Sequence, residues 1–166
     1  SMARISMLFD LLNLTTLDGQ IDAYTASERD LARKHFKFIN PGKDLVIMDR
    51  GYPSIRLMYE MQQGGKDFCI RMKDNWWVEV KEMLDNGETD KIVHFKLPAK
   101  DRDVLNEYNT TNDEITCRIV IVELSDGKRE ALCTSILDNE KLPYEAFRTL
   151  YHYRWNIEEG YKAYKC

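Results

Sequence analysis

The segment Asp44–Met72, DLVIMDRGYPSIRLMYEMQQGGKDFCIRM, decides the fold of this 166-residue chain. Its first part, Asp44–Asp49, is a short apolar run between chain breakers and predicts a buried central strand. Ser54–Gln63 predicts a helix that a pair of glycines ends, and Lys66–Met72 predicts another strand. A strand, a helix and a strand within about 30 residues indicate a βαβ unit with two parallel strands.

Asp49 lies at the carboxyl end of the first strand of this unit. Open α/β sheets place their functional sites at that end of the strands. Asp49 is therefore a candidate site residue, and the neighbouring Arg50 is interpreted as a brace for the strand end.

Upstream of this unit, two strands and a helix are predicted. The strands are Ala3–Asn13 and Leu14–Tyr24, with a turn near Asn13 or at Asp18 and Gly19. Ser27 is a suitable N-cap for a helix that ends at the Asn-Pro-Gly sequence beginning at residue 40. Ser1 and Met2 are typical of residues left by expression cloning and are excluded from the fold prediction.

Downstream, the segment 73–140 is rich in β-structure. Predicted strands cover Lys91–Leu97, Ile115–Leu124 and Lys128–Ile136, and a hairpin turn precedes the last of them. Leu142–Lys165 is predicted to form a long final helix, because Pro143 is tolerated in a first helical turn.

The final helix carries a narrow charged face. Tyr151, Arg154, Glu158 and Lys165 fall within roughly 60° of arc at helical spacing. An apolar stripe lies beside this face and must point to the core. Glu158 therefore lies at the edge of the buried surface, where a carboxylate is costly without a cation or metal partner.

Composition limits the class of protein. The formal net charge is −4, from 24 Lys and Arg and 28 Asp and Glu residues, which argues against a generic basic nucleic-acid binder but not against a DNA enzyme. The length suits one domain. No apolar run approaches 18 residues, so a cytoplasmic protein without a membrane partner is expected. The four cysteines form no CxxC pair, so reduced thiols are expected.

Two separated motifs carry a family resemblance. The face of Tyr151, Arg154, Glu158 and Lys165 resembles the Tyr-Arg-Glu-Lys signature of the insertion-sequence DDE transposases, the transposase DDE domain family. The sequence DRGY, which begins at Asp49 after an apolar strand, resembles the second-aspartate motif of the same family. The motifs occur in the family's order, and the resemblance runs from about Ala3 to Lys165.

The resemblance implies a fold: a ribonuclease-H-like mixed sheet flanked by helices. It assigns residues 3–72 to core strands and helices, 73–140 to a β-rich insertion, and 141–166 to the glutamate-bearing helix of a partial catalytic domain. The first strand of the family fold bears the first catalytic aspartate. That strand is expected upstream of Ala3 and missing from this chain.

The resemblance also implies a chemistry. It makes Asp49 and Glu158 the second and third carboxylates of an Asp-Asp-Glu triad that holds two Mg²⁺ or Mn²⁺ ions. Tyr151, Arg154 and Lys165 are implied to contact DNA phosphates. The implied enzyme cleaves transposon-end DNA and joins the freed 3′-OH to target DNA, as a homodimer on DNA, in the bacterial cytoplasm at the nucleoid.

Alternatives stay open from the residues themselves. The chain could be a non-catalytic DNA-binding remnant, or a β-rich interaction module that does not bind nucleic acid. Asp10 could replace the upstream aspartate, although it lies within an apolar strand pattern. With only two carboxylates, this chain is expected to fold without cleaving DNA.

Overall fold

In the computed structural model, which describes residues 2–153, helices flank a five-stranded mixed sheet, and a two-stranded antiparallel sheet precedes it in the chain. The strands are β1 (Ala3–Asp10), β2 (Thr15–Ala23), β3 (Leu45–Met48), β4 (Asp67–Arg71), β5 (Asp90–Lys96), β6 (Glu114–Glu123) and β7 (Arg129–Thr134). The helices are α1 (Glu28–Lys34), α2 (Ile55–Gln63), α3 (Val78–Asn86), α4 (Val104–Glu107) and α5, which begins at residue 146 and is described as far as residue 153; short 3-10 turns cover Phe36–Phe38 and Ala99–Asp101. None of the helices in this part of the chain is long and apolar enough to cross a membrane.

The predicted βαβ unit is confirmed. Strands β3 and β4 are parallel, with Leu45 opposite Asp67 and Met48 opposite Ile70. The connecting helix α2 begins after Ser54, whose side chain accepts a 2.9 Å hydrogen bond from the amide of Leu57. That bond satisfies one of the amides that a helix N-terminus leaves unpaired.

Strand β3 lies at an edge of the sheet, so the prediction of a central strand for Asp44–Asp49 is wrong for the described residues. The sheet order is β3-β4-β7-β6-β5, and among residues 2–153 no strand pairs with the outer side of β3. The apolar run has another cause, because both faces of β3 are covered. Val46 packs towards the core beneath α2, and Leu45 packs towards the core beneath α5.

The β-rich segment 73–140 continues the sheet of the βαβ unit. Strand β7 pairs antiparallel with β4, so that Ile70 lies opposite Cys133, and β6 and β5 follow outwards. The sheet separates two apolar cores. The core on the α2 side includes Leu57, Met58 and Phe68, and the core on the α5 side includes Val120 and Phe147.

Helix α5 begins at residue 146, four residues after the predicted start at Leu142. The buried guanidinium of Arg118 accounts for the difference. Its Nη1 donates to the carbonyl of Leu142 at 2.7 Å, so this oxygen accepts from a side chain, and the amide of Ala146 bonds to Pro143 instead. Asp90 holds the same guanidinium through two further hydrogen bonds of 2.8 and 2.6 Å. Arg118 thereby ties the start of α5 to the sheet.

The predicted N-terminal strand pair is confirmed as a hairpin with its turn at residues 11–14. Asp10 caps this turn, since its carboxylate accepts from the amides of Leu12 and Asn13 and from the Asn13 side chain. These hydrogen bonds, above all the side-chain bond from Asn13, lower the pKa of Asp10. They give Asp10 a turn-capping role.

The hairpin turns its polar side chains inwards. Ser6 is buried, and Asp18 and Gln20 on β2 are half-buried. Ile5 and Ile21 are directly paired on the opposite face and are 62% and 72% exposed. Polar contacts therefore help to hold the hairpin to the rest of the described chain.

Three cysteines lie inside the sheet, which agrees with the expected reduced thiols. Cys69, Cys117 and Cys133 are buried and carry free thiols. Burial raises the pKa of Cys69 to about 12. A hydrogen bond with Cys117, together with burial, raises the pKa of Cys133 well above its ordinary value.

We expect these thiols to resist alkylation in the folded chain. The thiolate is the reactive form, so iodoacetamide at pH 8 should modify Cys69 about a thousandfold more slowly in the folded chain than in concentrated urea. Peptide mass spectrometry of timed samples measures the rate at each cysteine. Equal rates at Cys69 in the folded and unfolded chain would contradict its burial.

Candidate active site

Asp49 lies immediately after β3, at the start of a tight turn formed by the DRGY sequence. The backbone amide of Tyr52 donates to the carbonyl of Asp49 at 3.1 Å, which closes the turn. The carboxylate stands at the carboxyl end of the strand and is 52% exposed. The predicted position of Asp49 at a strand end is therefore confirmed.

Arg71 ends the neighbouring strand β4, and the parallel pairing brings it to the same edge of the sheet as Asp49. Arg71 Nη1 lies 3.7 Å from Asp49 Oδ1, and the arginine side chain is 14% exposed. A cation so close to a carboxylate offsets part of its charge, and a partly buried arginine is well suited to hold an anion such as a phosphate.

Glu130 on β7 holds two arginines at this edge. Its carboxylate is 5% exposed; both oxygens accept from Arg50 at 3.0 and 2.9 Å. Arg71 donates to the same carboxylate through Nε at 2.8 Å and through Nη2. Burial raises the pKa of Glu130, but the hydrogen bonds from Arg71 and Arg50 outweigh burial and lower it overall. Glu130 is therefore an ionised anchor that orients both arginines.

Tyr151, on α5, packs against this cluster. Its side chain is buried, and the Arg71 guanidinium lies 5.7 Å from the centre of its ring. Together with Ile47 and Met48 it lines a concavity between the sheet and α5. A role for Tyr151 in DNA binding stays a prediction.

The other site residues predicted on the final helix lie outside the described part of the chain. They are Arg154, Glu158 and Lys165. The geometry of these three side chains relative to Asp49 therefore stays a prediction.

Helix α1 supports the DRGY turn from the other side. A β-carbon added at Gly51 would collide with the carboxylate of Glu28, which shows how closely the first turn of α1 approaches. Arg29 Nη2 donates to the carbonyl of Pro53 at 3.1 Å. The turn is thus held between α1 and the sheet.

Arg71 and Glu130 were missed by the sequence analysis. Arg71 carried a usable signal, because it ends an apolar strand as Asp49 does, and parallel strand ends meet at one edge. Glu130 carried a weaker signal, as a charge next to a run of apolar residues in a predicted strand. Its distance of 80 residues from Arg50 hid the pair.

Among the described residues, the possible metal ligands at this edge of the sheet are few. No group of three or more His, Cys, Asp or Glu side chains within residues 2–153 is arranged to hold a metal ion. Asp49 has the hard oxygen donors that Mg²⁺ prefers. Glu130 fits this role poorly, because two arginines already occupy its oxygens. The carboxylate oxygens of Asp49 are therefore suitable ligands for a divalent ion, but one carboxylate is too few to hold the ion.

This mixed sheet, with a carboxylate at the end of a parallel strand, is consistent with a ribonuclease-H-like transposase domain. The family described as "Transposase DDE domain" matches residues 2–165, which is nearly the whole chain. The chain therefore belongs to the transposase DDE domain family, as the two motifs predicted.

Similar proteins include insertion-sequence transposases. The chain is 28% identical over 121 residues to the transposase InsG for insertion sequence element IS4 of Escherichia coli K12, covering 73% of this chain and 26% of that protein. It is 24% identical over 204 aligned positions to the transposase for insertion sequence element IS231B of Bacillus thuringiensis subsp. berliner, covering 98% of this chain and 42% of that protein. The chain thus spans less than half the length of these relatives.

Proposed function

We propose that this chain is part of a transposase catalytic domain that cleaves transposon-end DNA and transfers the freed 3′-OH strand to target DNA. The observation that carries the proposal is the contact between Tyr151 and Arg71. It places the start of the signature-bearing helix beside the strand end that carries Asp49. The sequence predicts that this helix continues to Lys165, so Glu158 follows Tyr151 by seven residues, about two turns, on the same face.

In this proposal Asp49 and Glu158 hold the divalent ions, Mg²⁺ or Mn²⁺, two in the complete enzyme. Bound metal would activate water and stabilise charge on the reacting phosphate. The carboxylate of Asp49 lies at the surface, as that of a group that meets DNA must.

The arginines at the site would position the DNA backbone. Arg71 and Arg50 are oriented by Glu130, so their guanidinium groups lose little freedom on binding a phosphate. Arg154 and Lys165 would add phosphate contacts from the final helix. Such contacts place DNA without reading its sequence. The net charge of −4 is compatible with this local arrangement.

The first aspartate is proposed to come from a strand upstream of Ala3. The outer edge of β3, which no strand pairs among residues 2–153, supports this proposal. So does the turn-capping role of Asp10, which occupies its carboxylate. The complete protein would act as a homodimer on DNA at the bacterial nucleoid.

The test compares this chain with one extended upstream through the next aspartate-bearing strand and downstream past Cys166. We expect the extended chain to nick a labelled transposon-end duplex in the presence of Mg²⁺ or Mn²⁺, and the short chain to leave it intact, because ligand number sets affinity for these ions. Gel electrophoresis of the labelled strand measures the cleavage by each of the two chains.

Each outcome separates the alternatives. DNA binding with a steep salt dependence but no cleavage by the extended chain would favour a non-catalytic DNA-binding remnant. If the extended chain neither binds nor cleaves DNA, the result would favour an interaction module. Cleavage by the short chain that Asp10→Ala abolishes would show that Asp10 is the first aspartate.

A further inference from the structure

The buried guanidinium of Arg118 joins the contacts that fix the start of α5. Arg118 lies on β6, is 2% exposed and donates four hydrogen bonds. Two go to the carboxylate of Asp90 at 2.8 and 2.6 Å, one to the carbonyl of Leu142 at 2.7 Å, and one to Oδ1 of Asn139 at 2.9 Å. The guanidinium also lies 5.2 Å from the centre of the Phe147 ring. One side chain of the sheet thus holds both the segment that leads into α5 and its first turn.

Helix α5 runs from Arg118 towards the candidate site. The segment that precedes the helix lies over β6, where the Tyr144 hydroxyl donates to the carbonyl of Ile121 at 2.7 Å. Tyr151, farther along, contacts Arg71 on β4 and lines a concavity beside β3. Since the order of the sheet is β3-β4-β7-β6-β5, the helix crosses the sheet from β6 towards β3. The contacts of Arg118 therefore lie at the end of α5 that is remote from the site.

A helix transmits an error at its start to its far end. On the predicted helix, Glu158 follows residue 146 by twelve positions, which is about 18 Å at 1.5 Å per residue. A tilt of about 10° at the start would move Tyr151 by about 1 Å and Glu158 by about 3 Å. Since a bond between Mg²⁺ and a carboxylate oxygen is only about 2.1 Å long, such a tilt is enough to separate the ligand from the ion.

Apolar packing alone does not fix the tilt of α5. Phe147 and Tyr151 pack in the core on this side of the sheet, but hydrophobic contact has no preferred direction. The hydrogen bonds of a planar guanidinium do have one. An apolar residue at position 118 could fill a similar volume, and buried ion pairs can often be replaced in this way with little loss of stability. It would not supply the directional link between β6 and the carbonyl of Leu142.

We propose that Arg118 is a positioning residue that acts through the start of α5 and sets where Tyr151 meets Arg71. In the complete enzyme it also sets the place of the Glu158 carboxylate, and this part of the inference rests on the proposed function. Groups that orient a metal ligand from behind change metal affinity without touching the metal.

The first test uses the 166-residue chain and follows the Nε–H proton of Arg71 by NMR. Its 2.8 Å hydrogen bond to Glu130 slows exchange with water, so the resonance is observable. The Arg71 guanidinium lies 5.7 Å from the centre of the Tyr151 ring, whose ring current shifts the resonance. The resonance thus reports the position of Tyr151 rather than the stability of the fold. Tyr151→Leu gives the resonance position without the ring.

Two variants change the positioning residue. Arg118→Met removes all four hydrogen bonds, and Arg118→Lys keeps the charge beside Asp90 but not the planar fork. The matched control is Arg102→Met, which breaks a 2.6 Å pair with Asp113 just before β6. If Arg118→Met does not fold, Arg118→Lys serves in both tests.

We expect Arg118→Met to move the Arg71 resonance roughly a third of the way towards its position in Tyr151→Leu, because the ring moves by about 1 Å. Arg118→Lys should move it in the same direction, and Arg102→Met should leave it in place.

The second test uses the extended chain and measures the Mn²⁺ concentration that gives half of the maximal cleavage rate. We expect this concentration to rise about tenfold in Arg118→Met and to stay unchanged in Arg102→Met, since a displaced ligand weakens metal binding. A purely structural loss would instead lower the free energy of unfolding, which urea titration measures, and leave the metal dependence of the folded molecules unchanged.

An Arg71 resonance that stays in place in both Arg118 variants would overturn the positioning role. So would an unchanged Mn²⁺ dependence in Arg118→Met, which would leave Arg118 a structural role alone. Failure of the proposed function looks different, because the unchanged extended chain then cleaves no DNA at any Mn²⁺ concentration. In that case the part of the inference about Glu158 fails as well, and the Arg71 resonance still decides whether Arg118 positions Tyr151.

Discussion

Replacement of Asp49 by Asn in the extended chain should lower the rate of metal-dependent DNA cleavage about a thousandfold, equivalent to about 4 kcal/mol of transition-state stabilisation. The substitution keeps the size of the side chain and removes its charge and one metal-binding oxygen. Because Asp49 is exposed at a strand end and its backbone is held by the turn, the fold should survive. Single-turnover cleavage of a labelled transposon-end duplex measures the rate.

Asp44→Asn is the matched control, since Asp44 lies at the opposite end of β3 and caps the turn at Asn40. We expect the cleavage rate of the Asp44→Asn chain to stay within about threefold of that of the unchanged chain. Asp44 lies away from Asp49, and a surface substitution usually changes the free energy of unfolding by no more than about 0.5 kcal/mol. An Asp49→Asn chain that cleaves at the rate of the control would remove Asp49 from the catalytic residues.

Replacement of Glu130 by Gln should destabilise the chain by about 2–3 kcal/mol at pH 7. The carboxylate is buried and accepts from two arginines, so a neutral amide leaves Arg71 with only the more distant and more exposed carboxylate of Asp49 as a compensating charge. Arg71 is itself largely buried and cannot regain full hydration. Urea unfolding followed by circular dichroism measures the free energy of unfolding. Glu123→Gln, at an exposed position on β6, should change it by no more than about 0.5 kcal/mol.

The pH dependence gives the same prediction a second test. Burial raises the pKa of Glu130, but the hydrogen bonds from Arg71 and Arg50 lower it by more, so in the folded chain it lies below the ordinary value of 4.5. The folded state therefore gains stability from this carboxylate above pH 4.5 and loses it as the pH falls through the folded-state pKa. The difference between the two chains should be full at pH 7 and should shrink below pH 4.5. A difference that stays constant down to pH 3 would show that packing, rather than charge, accounts for the loss.

Local sequence determined the elements that carry the site. The apolar run before Asp49, the N-cap at Ser54 and the glycine pair after α2 specify a strand, a helix and a strand, each from residues close together in the chain. Short-range rules also gave the strands of the β-rich segment, and they offered the turn near Asn13 as one of two positions for the hairpin turn. The DRGY and Tyr-Arg-Glu-Lys motifs indicated the family, because their residue types and order are specific.

Only the tertiary structure decided which distant residues meet. Glu130 joins Arg50 and Arg71 across 80 and 59 residues, and no local pattern encodes such a pair. The local sequence also could not predict the edge position of β3. An apolar strand between two cores has the same composition whether it pairs with one strand or with two. The inward polar face of the hairpin depended on His35, which is distant in sequence and whose two ring nitrogens hydrogen-bond Ser6 and Asp18, so that these buried polar groups are tolerable.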